Sequence, residues 1–193
     1  LQVVYSGIQD LTGIEAFVNL TKLECRDNSL TSLDVSKNTA LTELICYSNK
    51  LTSLDVSKNT ALKVLDCNWN LSLASLDVSN NYSLTALNCS STQLTILDLS
   101  NNYNLTTLDC SSNSLSVLEV YGNSALTNLN CGYNNLTSLD VSYLTILSNL
   151  NCVSNSINTL KLGSITTLTD LYCSWNNLSN LNVGSNTLLE RLN

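Results

Sequence analysis

The 193-residue sequence contains no histidine, no proline and no methionine. Without histidine there is no ordinary proton shuttle, no imidazole metal ligand and no Ser-His or Cys-His dyad, so most hydrolase and metalloenzyme chemistries are excluded. Positive charge is also scarce. Lys and Arg number 8 against 15 Asp and Glu, a net charge of −7, and neither basic residue occurs between positions 64 and 160. A nucleic acid or an anionic membrane would meet no basic patch. No apolar run approaches the roughly 20 residues of a membrane-spanning helix, because Ser, Thr, Asn or Asp interrupts every cluster. No membrane insertion is expected.

What remains is leucine, 40 residues of it, with Asn, Ser and Thr supplying most of the polar remainder. The eight cysteines, Cys25, Cys46, Cys67, Cys89, Cys110, Cys131, Cys152 and Cys173, are spaced 21 residues apart, with one gap of 22. A fixed period of this length is the signature of a solenoid. One coil has Leu44, Cys46, Asn49, Leu51, Leu54, Val56, Asn59 and Leu62; another has Leu108, Cys110, Asn113, Leu115, Leu118, Val120, Asn123 and Leu126 in identical spacing. The single longer gap is an extra residue between Asn70 and Leu73. Thr92 departs from the first Asn column, and Leu144 and Ile165 depart from the second.

The alternation in L-x-C and L-x-V turns Leu, Cys and Val inward and predicts two parallel strands per coil, with turns at the Asn and Ser residues. Little helix is expected beyond one turn within the irregular segment 10–20. Stacked coils bury one continuous core that no single coil could close.

The pattern L-x-x-L-x-C-x-x-N-x-L resembles the leucine-rich repeat with Cys at a usual Leu position. The 21-residue form LTSLDVSKNTALTEL is similar to the repeats of the internalin J family and related surface proteins of Gram-positive and gut Bacteroidetes bacteria. The resemblance implies a right-handed leucine-rich-repeat solenoid, nearly all parallel β with little or no helix, of about nine 21–22-residue coils. It forms a single domain over 1–193: a divergent first coil over 1–20, and regular Cys-containing repeats over 20–193 that look truncated at the C-terminus. It also implies an extracellular or cell-surface bacterial protein, non-enzymatic, that binds a protein ligand on a host or neighbouring cell. A glycan-binding adhesin and a passive stalk are the alternatives.

The cysteine column is expected to be a ladder of buried free thiols. Parallel Cβ vectors about 5 Å apart suit neither a disulfide nor a tetrahedral metal site. No metal site and no cofactor is expected. The resemblance to leucine-rich repeats also implies that the Asn columns bond the turn backbones of adjacent coils. Asp34, Asp55, Asp77, Asp98, Glu119 and Asp140 form an outward acidic column, and hydrogen bonds to the neighbouring serines would offset its repulsion better than weak Ca²⁺ sites, which need six to eight oxygens.

The candidate ligand-binding residues are Tyr47, Trp69, Tyr133, Tyr172 and Trp175. Both tryptophans fall two residues after a Cys, and all five lie on or beside one outward strip of the Cys-bearing face. Aromatics that cannot be core by register are candidates for recognition. Tyr82 and Tyr103, at equivalent turn positions, are expected to stack on each other.

Overall fold

The computed structural model describes residues 1–193. Each coil contributes one three-residue strand at its L-x-C segment. In chain order these are β1 Lys22–Glu24, β2 Glu43–Ile45, β3 Val64–Asp66, β4 Ala86–Asn88, β5 Thr107–Asp109 and β6 Asn128–Asn130, then β8 Asn149–Asn151, β10 Asp170–Tyr172 and the two-residue β11 Arg191–Leu192. Together they form a nine-stranded parallel sheet in which each strand pairs with the next coil's. The register has no slip: Leu23, Leu44, Leu65, Leu87 and Leu108 stand opposite one another. Gln2 bridges to Glu24 and attaches the divergent first coil. The one helical segment is the short 3-10 turn Ile14–Ala16, which falls where a turn was expected.

The core is a single cluster of buried Leu, Val, Ile and Cys running the length of the stack. All eight cysteines are buried and free, and each lies directly after an L-x-C strand. Burial is the leading cause that pushes Cys25, Cys67 and Cys152 up to about 12 and holds Cys46, Cys89, Cys110 and Cys131 well above the ordinary thiol value. The column therefore packs as small apolar side chains.

The first Asn column clamps adjacent coils. Asn49 donates from Nδ2 to the carbonyls of Cys25 and Cys46, each at 3.0 Å, and its Oδ1 accepts the Leu30 N–H at 2.9 Å. Asn134 repeats the arrangement with Cys110, Cys131 and Leu115. The second column does only half of this. Asn59 Nδ2 donates to Val35 and Asn38 carbonyls, but Oδ1 of Asn38, Asn59, Asn81, Asn102 and Asn186 is buried without a partner. An amide that leaves an orphan acceptor is the more replaceable one, and the fully buried Leu144 and Ile165 take its place in two coils.

The L-x-V segments differ from expectation. Only β7 Ser138–Asp140 and β9 Thr159–Lys161 form a regular second ladder, with a lone bridge from Asp55 to Asp77 elsewhere. The regular pair is where Lys161 faces Asp140, at 3.1 Å, in a column otherwise carrying acid beside acid. Opposite charges across a ladder support pairing there, although the Asp55–Asp77 bridge sets two acids opposite one another. Throughout the column the aspartate also turns to its own chain, and Asp140 accepts from Ser142. Ser36, Ser57, Ser79 and Ser100 each donate a backbone N–H to the Oδ1 of the aspartate two residues earlier, at 2.8–2.9 Å. These bonds hold the four aspartates below the usual carboxylate range.

Candidate functional site

The turn after each strand sets the geometry of the candidate face. The residue two after each Cys adopts a left-handed backbone: Asp27, Ser48, Trp69, Ser91, Ser112, Tyr133, Ser154 and Trp175 all have φ between 52° and 57°. The residue just before each Asn clamp is thus forced into a region that costs an L-amino acid about 1–2 kcal/mol. Asn or Gly would be the favoured occupant, yet three of these eight positions carry an aromatic ring.

The register brings Trp69, Tyr133 and Trp175 into one row, three and then two coils apart, or roughly 14 Å and 10 Å at one strand spacing per coil. Their side chains face solvent, with Trp69 and Tyr133 each 59% and Trp175 82% exposed. Tyr172 ends β10 on the neighbouring outward row, half-buried, its hydroxyl 3.5 Å from Asp170 Oδ1. Asp170 is buried and ion-paired with Arg191. Tyr172 and Trp175 therefore share the surface of one coil.

Tyr47 stands apart from these four. The Arg26 guanidinium lies 5.5 Å from its ring centroid and 5.0 Å from that of Tyr5, donates to the Tyr5 hydroxyl at 2.9 Å, and pairs with Glu24 and Asp27 at 2.9 Å. Tyr47 is thus engaged within the protein at the opposite end of the strip.

Between the two ends the outward row is polar: Asp66, Asn88, Asp109 and Asn130 stand in register. Asn130 Nδ2 donates to Asp109 Oδ2 at 3.0 Å, and Ser111 donates to Asp109 Oδ1. Asp66 is partly buried, and that desolvation raises its carboxyl to about 6 despite the Asn68 N–H it accepts.

The left-handed register of the tryptophans was not legible in the alternation of apolar residues. The signal available was positional, since the same slot is Ser in four coils and Asp in a fifth. The aromatic pair of the opposite side also differs from expectation. Tyr121 and Tyr143 meet edge to face at 4.6 Å, while the Tyr103 ring lies against Gly122 instead of stacking on Tyr82.

These features define the class: a leucine-rich-repeat solenoid of 21-residue coils carrying a cysteine ladder. No protein-family model matches the sequence, and no curated protein matches it. Among solved structures, the functional domain of InlJ from Listeria monocytogenes, which includes a cysteine ladder, superposes with a TM-score of 0.96 at 47% identity, covering 98% of this chain and 42% of that one. The Leptospira interrogans leucine-rich-repeat protein LIC12759 matches with a TM-score of 0.81 at 21% identity over 98% of this chain and 58% of its own. Internalin C2 of Listeria monocytogenes matches with a TM-score of 0.77 at 22% identity, over 98% and 77%. The last two show the fold alone. The chain spans less than half the length of the InlJ domain, and no helix in it is long and apolar enough to cross a membrane.

Proposed function

We propose that this chain is a non-enzymatic protein-binding or adhesion module of a bacterial cell-surface or secreted protein, working as one rigid leucine-rich-repeat unit over 1–193. The supporting observation is the row formed by Trp69, Tyr133 and Trp175, three exposed aromatics held at a strained backbone position that smaller residues fill in the other coils. A rigid scaffold presents such side chains with little ordering cost on binding, and Trp and Tyr dominate binding hot spots. Tyr172 extends the surface beside Trp175, and Tyr47 closes it at the far end. Likeness to InlJ supports display outside the cell. The partner is a protein on a host or neighbouring cell, and basic groups on it would complement Asp66 and Asp109.

A glycan is the second reading, favoured by the high exposure of the Trp175 side chain. The experiment is paired binding of the purified chain to a panel of immobilised extracellular protein domains and to a glycan array, with Trp69→Ala, Tyr133→Ala and Trp175→Ala variants alongside. Saturable protein binding that the variants lose, with unchanged circular dichroism, supports the proposal. Trp-dependent binding to glycans alone transfers the site to carbohydrate. Binding to neither, or binding indifferent to all three substitutions, leaves a spacer.

A further inference from the structure

A second surface, on the L-x-V side and away from the aromatic row, departs from the repeat in a concerted way. The residue just before the L-x-V triplet is polar in most coils, as Ser32, Ser53, Ser75, Ser138 and Thr159, but it is Ile96 and Val117 in two adjacent coils. Both are exposed, at 77% and 61%. In the Val117 coil the turn position that is Ser36, Ser57, Ser79 and, in the Ile96 coil, Ser100 becomes Tyr121, and the next residue becomes Gly122. The Tyr103 ring packs over Gly122, its atoms 3.6 Å from where a Cβ would stand. Tyr121 is braced from the other side by Tyr143. The result is a groove of about 680 Å³ with an apolar floor at Ile96 and Val117, walls at Tyr103 and Tyr121, and Asp98 and Glu119 at its edge. That volume is within the range of pockets that enclose a ligand, roughly 300–1,000 Å³.

Charge selects the occupant. Asp77, Asp98 and Glu119 occupy successive rungs, and no Lys or Arg is present from 64 to 160 to neutralise them. Asp98 is held ionised by the Ser100 N–H, which leaves its second oxygen free to face solvent. Ile96 and Asp98 are two residues apart in the chain, and side chains i and i+2 of an extended peptide are likewise about 6.8 Å apart on one face.

We propose that this groove is a second binding site, which takes an extended segment of a protein partner carrying a bulky aliphatic or aromatic side chain with lysine or arginine two residues away. The apolar side chain enters between Tyr103 and Tyr121 onto Ile96 and Val117, and the cation meets Asp98 and Glu119. The site shares no residue with the Trp69–Tyr133–Trp175 row, so either can fail without the other.

The test is an NMR titration of the whole chain, methyl-labelled at Ile and Val, with the peptide acetyl-Ser-Phe-Ser-Lys-Ser-amide and with its Lys→Glu counterpart. Saturable shifts of the Ile96 and Val117 methyls with the lysine peptide, and affinity lower by about tenfold or more for the glutamate peptide, are expected. The double variant Ile96→Ser/Val117→Ser, which restores the residue of the neighbouring coils and so preserves the fold, should abolish the response. Asp98→Asn/Glu119→Gln should remove the preference for lysine. Unmoved methyls, equal binding of both peptides, or an unchanged response in the double Ser variant overturns the proposal. So does a response of these methyls to cellotetraose but not to the lysine peptide, which would assign the groove to carbohydrate.

Discussion

Leu73 donates its backbone N–H to the Asn70 carbonyl at 2.9 Å, within its own coil. In the neighbouring coils the equivalent amide reaches forward to an Asn side chain: Leu51 to Asn70, Leu94 to Asn113 and Leu115 to Asn134. The extra residue between Asn70 and Leu73 folds the turn so that Leu73 is satisfied locally, and the next coil has Thr92 where its clamp would be. The Thr92 hydroxyl instead lies 3.0 Å from Cys89 O and 2.7 Å from Asn113 Oδ1, either of which can take its one proton. The longer coil and the missing Asn are one structural event.

Thr92→Asn should accordingly change stability by less than about 0.5 kcal/mol, because the donor it would satisfy already has a partner. Asn134→Thr should cost about 1–3 kcal/mol, since the buried Leu115 N–H would lose its acceptor, while the Cys110 carbonyl keeps Asn113 Nδ2. Urea unfolding of the two variants beside the parent chain measures the contrast. Equal effects would sink the argument.

The cysteine ladder should be chemically silent until the fold opens. With the thiols buried and raised, to about 12 for Cys25, Cys67 and Cys152, a native sample treated with N-ethylmaleimide near neutral pH should stay unmodified while the same chain in guanidinium labels at all eight positions. Cys173, 8% exposed where the other seven are fully covered, should label first as denaturant increases. Intact mass spectrometry with peptide mapping reads both results.

Asp66 gives a pH signature. Its folded value of about 6 lies above the ordinary 3.8, so its contribution to stability is present in full below the unfolded value and is lost as pH rises through about 6. Asp66→Asn, which repeats the residue at Asn88 and Asn130 in the same row, should exceed the parent by about 1 kcal/mol at neutral pH once solvent screening is allowed for, and match it near pH 4. Unfolding curves at the two pH values decide it, and an advantage independent of pH would count against desolvation as the cause.

The aromatics in the left-handed turns should cost stability. Trp69→Asn and Tyr133→Asn should each raise stability by about 0.5–1 kcal/mol, because Asn accepts positive φ at lower cost and little buried surface is lost. A rise in the thermal midpoint together with a loss of binding would show that these rings are kept at the expense of the fold. A fall in stability would mean that they pack against the turn after all.

The lone ion pair of the acidic column makes a smaller test. Lys161→Glu replaces the attraction at Asp140 with repulsion, and both side chains are well solvated, so the loss should be about 0.5–1 kcal/mol and should shrink as salt is added. Chemical unfolding at low and high salt checks it.

The architecture was legible because it repeats. A Leu or Cys at every second position of a strand can face only inward, and a 21-residue period leaves only a stack of coils in which such a face is covered, so the fold, the buried thiols and the serine-capped aspartates follow from spacing, while the first Asn clamp was implied by the likeness to leucine-rich repeats. The features that were not legible depend on the path of the backbone between the repeats. Nothing in the alternation shows that the residue two after Cys has positive φ; that arises because the chain must reverse there for the following Asn to reach two coils at once. The weak second ladder was hidden for a related reason, since the L-x-V alternation sets which side chains face inward but not how closely adjacent backbones approach, and only Ser138–Asp140 and Thr159–Lys161 pair regularly. Sequence alone thus determined which residues are buried, because burial in a solenoid is a matter of period. Tertiary structure decided which exposed residues meet, because Ile96, Val117, Tyr103 and Tyr121 become one groove only when adjacent coils stack one strand spacing apart.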